Sequence, residues 1–198
     1  MPDFSHEALF GKQYHAICGV DEAGRGPLCG PVVAAAVILP MGASFLGLDD
    51  SKKLSEKKRE ALFDVITENA IAFSVAMATP EEIDELNILN ATMLAMRRAI
   101  LALSPEADFA LIDGNMARNI PIPCKTIVKG DAISCSIAAA SILAKVTRDR
   151  ICLEQDALYP EYGIAKHKGY PTKEHMEAVL KYGPSPIHRR TFLKFCDS

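Results

Sequence analysis

The sequence predicts an α/β protein, a mixed sheet of five strands flanked by helices, in the order β-β-α-β-α-β-β-α. Three observations carry that prediction. Short apolar runs of strand length alternate with stretches of helical periodicity. Several of those runs stop abruptly at acids and glycine turns. A long Ala-rich segment supplies a helix able to lie close against a sheet. At 198 residues, 49% hydrophobic and 24% charged, the chain has an ordinary globular composition and a length suited to one domain.

The elements follow in chain order. Residues 16–20 and 31–39 read as two strands split by a Gly/Pro-rich turn, a connection short enough to favour an antiparallel pair. Ser55 is placed to N-cap a helix in which Leu62, Val65 and Ile66 recur at helical spacing. Residues 70–78 read as a third strand. Thr79-Pro80-Glu81-Glu82 combines an N-cap, a proline at the first helical position and first-turn acids. That helix runs toward Leu103, with a break expected near 87–90. Strands are expected at 109–112 and 125–128, then the Ala-rich helix at about 134–158. The last clear helix spans 172–181 and ends at Gly183-Pro184. A helical C-terminal portion begins at about residue 160.

Composition excludes several function classes. The formal net charge is −3, so bulk charge does not announce a nucleic-acid binder, although residues 160–198 carry seven Lys/Arg against four Asp/Glu. The longest apolar run, 32–39, is far short of the ~18 residues of a membrane span. The N-terminus has no apolar signal region, and the six cysteines form no C-x-x-C pair, so reduced thiols and a cytoplasmic address are expected. The five histidines show no zinc spacing with those cysteines. The third glycine of a dinucleotide-binding loop, a P-loop and a serine nucleophile elbow are all missing.

What remains is a set of acids. Asp21, Glu22, Asp113 and Asp131 each fall at or just past the end of an apolar strand, where open α/β sheets place their ligands. Four carboxylates converging there would repel one another unless cations held them, and two divalent ions suit phosphodiester cleavage. Gly24-Arg25-Gly26 follows the first pair at once. Its glycines allow a backbone to approach a ligand closely, and its arginine suits a phosphate. Adjacent Asp21 and Glu22 are expected to reach one site only if the strand ends or bulges there, because neighbours on a regular strand face opposite ways.

At this point the residues resemble a family. Ile17-Cys18-Gly19-Val20-Asp21-Glu22-Ala23-Gly24-Arg25-Gly26-Pro27-Leu28 is similar to the signature of type 2 ribonuclease H, ribonuclease HII, in its bacterial branch. So are Asp50-Ser51-Lys52-Lys53-Leu54-Ser55, Leu111-Ile112-Asp113-Gly114-Asn115, Val128-Lys129-Gly130-Asp131, the helix from Ile137 to Asp149, His167-Lys168-Gly169-Tyr170-Pro171-Thr172 and His188-Arg189-Arg190-Thr191-Phe192. The motifs stand in family order over nearly the whole chain. Ile164 departs from the larger side chain often found there.

The resemblance implies a ribonuclease H-like fold and an endonuclease cutting RNA paired with DNA, including single ribonucleotides embedded in duplex DNA. It implies Asp21, Glu22, Asp113 and Asp131 as ligands of two Mg²⁺ or Mn²⁺ ions. It further implies Gly24-Arg25-Gly26 as the sensor of the ribose 2′-OH and Tyr170 as the aromatic at the next sugar. Lys52, Lys53, Arg189 and Arg190 are candidate phosphate contacts. A monomer is expected. Nothing in the tail after Phe192 assigns a protein partner such as a replication clamp. No extra N-terminal substrate-binding domain is expected, in contrast to the longer ribonuclease HIII relatives.

Overall fold

The computed structural model describes residues 1–197. Five strands form one sheet: β1 (Ile17–Ala23), β2 (Val32–Ile38), β3 (Ala72–Ala78), β4 (Phe109–Asp113) and β5 (Cys124–Ile127), in spatial order β3-β2-β1-β4-β5. β1, β2 and β3 pair antiparallel, while β1, β4 and β5 run parallel. The sheet is therefore mixed, as the sequence predicts.

β2 shows how the two layers form. All seven of its residues are buried. Val32, Ala34, Ala36 and Ile38 feed the core on one face, and Val33, Ala35 and Val37 feed the other. The first face is covered by α4 (Ile88–Leu101), with Ala91, Ala95, Met96 and Ala99 turned inward. The second is covered by α2 (Glu56–Asn69) and the long α5 (Cys135–Leu158). The small side chains of α5 let it sit directly over β1. At Gly19 the approach is so close that a Cβ would overlap the backbone of Ser136 and Ile137.

The helix starts match their sequence signals. Ser55 caps α2. Thr79 and Glu82 form a reciprocal capping box on α3 (Pro80–Leu86). The expected break falls at Asn87, whose positive φ of 67° separates α3 from α4 while its side chain caps the latter. Ser134 caps α5. A helix the sequence did not reveal, α1 (Ser5–Phe10), docks through Glu7, whose carboxylate accepts from Ser134 Oγ and the Ser136 amide.

Beyond α5 the chain carries α6 (Ile164–His167) and α7 (Lys173–Tyr182), the latter capped by Thr172. This portion packs on residues 28–29 and the C-terminal half of α5 through Cys152, Tyr162, Ile164, Val179 and Leu193. Three backbone bonds stitch it to the turn after β1: Leu28 N–H to Gly169 O at 2.8 Å, Gly30 N–H to Ile187 O at 2.9 Å, and Arg189 N–H to Leu28 O at 2.9 Å. Among the described residues no helix is long and apolar enough to cross a membrane.

Candidate active site

β1 does not end before the acids. It stays paired with β2 through Asp21↔Ala35, Glu22↔Ala34 and Ala23↔Val33, with no bulge. The two carboxylates therefore leave opposite faces of the sheet. The expectation that the strand must end or bulge is corrected by a notch on its other edge. The β1–β4 pairing stops at Val20↔Ile112, so that edge of residues 21–23 is unpaired. Asp21 shares the α5 face with Gly19, and Glu22 shares the α4 face with Cys18 and Val20. Both reach the same notch from opposite sides.

Asp113 ends β4 at that notch. Its Oδ1 accepts the amide of Gly130 at 2.6 Å and, at 3.4 Å, that of Asp131. Lys129, in the left-handed region at φ 57°, turns both amides toward it. A carboxylate on one strand thus fastens the loop that carries the next carboxylate. Lys52, in a 3₁₀ turn at Ser51–Lys53, places Nζ 3.7 Å from Asp131 Oδ2. Arg25 donates to Glu22 Oε1 at 3.3 Å.

The electrostatics are those of a site short of positive charge. Burial pushes the Asp21 carboxyl well above the usual range, and Glu22 and Asp113 push further. Burial also raises Glu22, with Arg25 pulling back and Asp113 adding to the rise. Asp131 is raised by burial, then by Asp113 and Asp50. Burial works against the charge on Lys52, yet Asp131, Asp21, Asp50 and Asp113 outweigh it and raise its pKa. Hard oxygen donors crowded this way fit divalent cations such as Mg²⁺ or Mn²⁺.

The glycine turn stands beside the acids. Gly24 has φ 97°, and a Cβ there would overlap the Arg148 guanidinium. Gly26 faces Tyr170, whose ring lies 3.5 Å from where a Cβ would sit. Tyr170 is 47% exposed. Glu22, Gly24, Gly26, Lys52, Ser141, Lys145 and Tyr170 all line one cleft.

Arg189 overturns its expectation. It is fully buried and meets no solvent phosphate. Its guanidinium donates to four backbone carbonyls: Gly30 from Nε at 2.9 Å, Arg25 and Pro27 from Nη1 at 3.0 and 2.8 Å, and Gly24 from Nη2 at 2.6 Å. It is the mould of the glycine turn. Lys53 pairs with Asp49 at 3.1 Å and Arg190 is exposed. Neither is drawn to the acids.

Several residues of the site escaped the sequence reading. Ser141 bonds Ser51 at 2.8 Å and steadies Asp21. Lys145 pairs with Asp149 at 2.7 Å. Arg148, 1% exposed, reaches Lys168 O and Cys29 O. All three lie in the quoted α5 motif at helical spacing, which was the available signal.

Chain spacing also concealed a Cys/His group. Cys29, His175 and His188 offer ligand atoms within 4.8 Å of one another. Their hydrogen bonds describe a neutral relay. His175 Nδ1 lies 3.0 Å from Tyr170 O, the two Nε2 atoms are 3.1 Å apart, and His188 Nδ1 lies 2.8 Å from Ser185 Oγ. Burial lowers His175 and takes His188 down to about 4, while burial raises the Cys29 thiol to about 12. With Arg148 and Arg189 adjoining, this group braces the Tyr170 backbone.

The comparisons with known proteins agree in direction. The Ribonuclease HII family pattern matches residues 18–195. A curated Ribonuclease HII of Marinomonas sp. (strain MWYL1) is 60% identical over 193 residues, covering 97% of this chain and 96% of its own. The solved ribonuclease H2 of Pyrococcus horikoshii OT3 superposes with a TM-score of 0.76 at 29% identity, covering 91% of this chain and 96% of that one. A ribonuclease HII of Archaeoglobus fulgidus, solved in complex with PCNA, superposes with a TM-score of 0.73 at 25% identity, covering 90% and 94%.

Proposed function

The chain belongs to the ribonuclease HII family, hydrolases that cut the RNA strand of RNA/DNA hybrids, and from that premise we propose that it also cuts on the 5′ side of single ribonucleotides embedded in duplex DNA, leaving 3′-OH and 5′-phosphate ends. The observation that carries this reading is the acid notch set against a backbone turn with no side chain in the way. Asp21, Glu22, Asp113 and Asp131 would hold two Mg²⁺ or Mn²⁺ ions. When bound, such ions supply Lewis acidity for water activation and neutralise charge at the leaving 3′ oxygen.

The protein's own groups do the rest. Backbone groups of Gly24-Arg25-Gly26 reach the ribose 2′-OH, the one feature that tells RNA from DNA at a given sugar. The Tyr170 ring packs against the following sugar. Lys52 sits beside Asp131 and meets a backbone phosphate from the rim. Arg189 and the His175–His188 pair hold turn and ring at a set separation.

The test is a substrate panel: a duplex with one embedded ribonucleotide, a long hybrid and an all-DNA duplex, each with Mg²⁺, Mn²⁺ or EDTA. Cutting is expected only where a 2′-OH and a divalent ion are both present. Equal cutting of all-DNA duplex, or full activity in EDTA, sinks the reading. We further read the protein as a cytoplasmic monomer, from its free thiols and ordinary surface charge. Because the Archaeoglobus relative was solved with PCNA, a sliding clamp is the protein partner to test first, by gel filtration of the mixture.

A further inference from the structure

The groove between α4 and the segment after β4 continues past the acids. Its acidic end is lined by Glu22, Asp113, Met93 and Met96. Met93 is shared with a second cavity of about 330 Å³, which Asn90, Arg97, Arg118 and Asn119 also line. On α4 the two linings interleave. Leu89, Met93 and Met96 face the first, and Asn90, Met93 and Arg97 face the second. A one-residue offset turns a helix face by about 100°, so the two cavities lie side by side around α4 and meet at Met93. The opposite wall repeats the pattern, Gly114 to Met116 on the first and Arg118 on the second.

No carboxylate lines the second cavity. Arg97 and Arg118 are exposed, and among the described residues neither forms an ion pair. Arg98, next in the chain, is different: Glu82 holds it at 2.6 Å and Met77 O at 2.9 Å. Two uncommitted guanidiniums on one cavity concentrate positive potential, and their planar forks match phosphate oxygens.

We propose that Arg97 and Arg118 clamp the sugar-phosphate backbone of the bound duplex beyond the acid notch. Arg97 follows Met96, which lines the acidic end of the groove, so the clamp lies on the flank of α4 beside the acid notch. The clamp rests on the nucleic-acid reading above and adds a contact which that reading does not contain.

The experiment compares wild type, Arg97→Gln/Arg118→Gln and Arg97→Lys/Arg118→Lys on the duplex with one ribonucleotide. Cleavage kinetics are read alongside fluorescence-anisotropy binding at several salt concentrations. The glutamine pair is expected to melt like wild type, raise KM about tenfold, leave kcat within twofold, and flatten the salt dependence of log Kd by about 2. The lysine pair is expected to keep the wild-type slope. Unchanged KM and slope in the glutamine pair overturn the clamp, as does a lysine pair as flat as the glutamine pair. Wild type that binds with the steep slope but cuts no ribonucleotide would overturn the cleavage reading and leave the clamp standing.

Discussion

Arg189 Nη2 donates to the carbonyl of Gly24 at 2.6 Å, across 165 residues of chain. A side chain from the C-terminal portion therefore fixes the turn that follows the first two acids. Burial lowers its pKa to about 9, and its charge is balanced by oriented carbonyl dipoles, with no carboxylate in contact.

Arg189→Lys is expected to lose this arrangement, because an ammonium cannot reproduce a fork serving four carbonyls. Two or more carbonyls left unpartnered cost roughly 3 kcal/mol, which lowers the melting temperature by roughly 5–10 °C. Cleavage of a single embedded ribonucleotide should fall at least tenfold. A variant with wild-type melting and activity would show that the turn holds its shape alone.

The two glycines of the turn should behave differently. Gly24→Ala is strained twice, by φ 97° and by overlap with Arg148, and should cost more than about 2 kcal/mol. Gly26→Ala puts its Cβ in ordinary contact with Tyr170 at 3.5 Å, so stability should stay within about 0.5 kcal/mol. Activity on the ribonucleotide substrate should nevertheless drop tenfold or more, since the added methyl narrows the space between turn and ring. Thermal melts and kcat/KM for both variants check this.

Asp21→Asn should abolish metal-dependent cleavage and stabilise the metal-free protein. The native carboxyl has a pKa raised above its unfolded value, so the native state binds the proton more tightly. Its stabilising effect is full below the unfolded value near 4 and is lost as pH rises through the native one. As pH rises in EDTA the burial penalty on the carboxylate grows, so asparagine, which has no charge to bury, should melt higher than wild type at pH 8. At pH 4 the gain should vanish. Melting curves at the two pH values decide it.

His188 has the opposite sign. Its native pKa of about 4 lies below the ordinary 6.5, so between those values the unfolded chain takes up a proton that the native state refuses. Stability should fall as pH drops from 6.5 toward 4, by roughly 2 kcal/mol. His188→Gln should flatten this stretch of the stability profile. An equally steep profile in that variant would place the sensitivity elsewhere.

Much of this was legible because it is local. The caps at Ser55 and Thr79 and the break at Asn87 are each written within four residues. So was the placing of acids at strand ends, since apolar runs stop where Asp113 and Asp131 begin. The continuation of β1 through Ala23 was hidden, because pairing with Ala34 and Ala35 depends on a partner strand. Arg189 was misread for a related reason. An arginine in a basic stretch resembles a phosphate contact until the fold shows four carbonyls around it. The meeting of Cys29 with His175 and His188 likewise requires the C-terminal portion to return to the turn.

The contact at Gly19 works as a feeler gauge. Asp21, two residues along the same face of β1, and Ser141, five residues along α5 from Ser136, lie on walls whose spacing is set where a lone hydrogen separates strand from helix. Any heavier group at position 19 would act as a shim, moving the walls apart and shifting Asp21 relative to Asp113 and Asp131. The spacing of the acid notch is thus decided at a buried residue that carries no side chain at all.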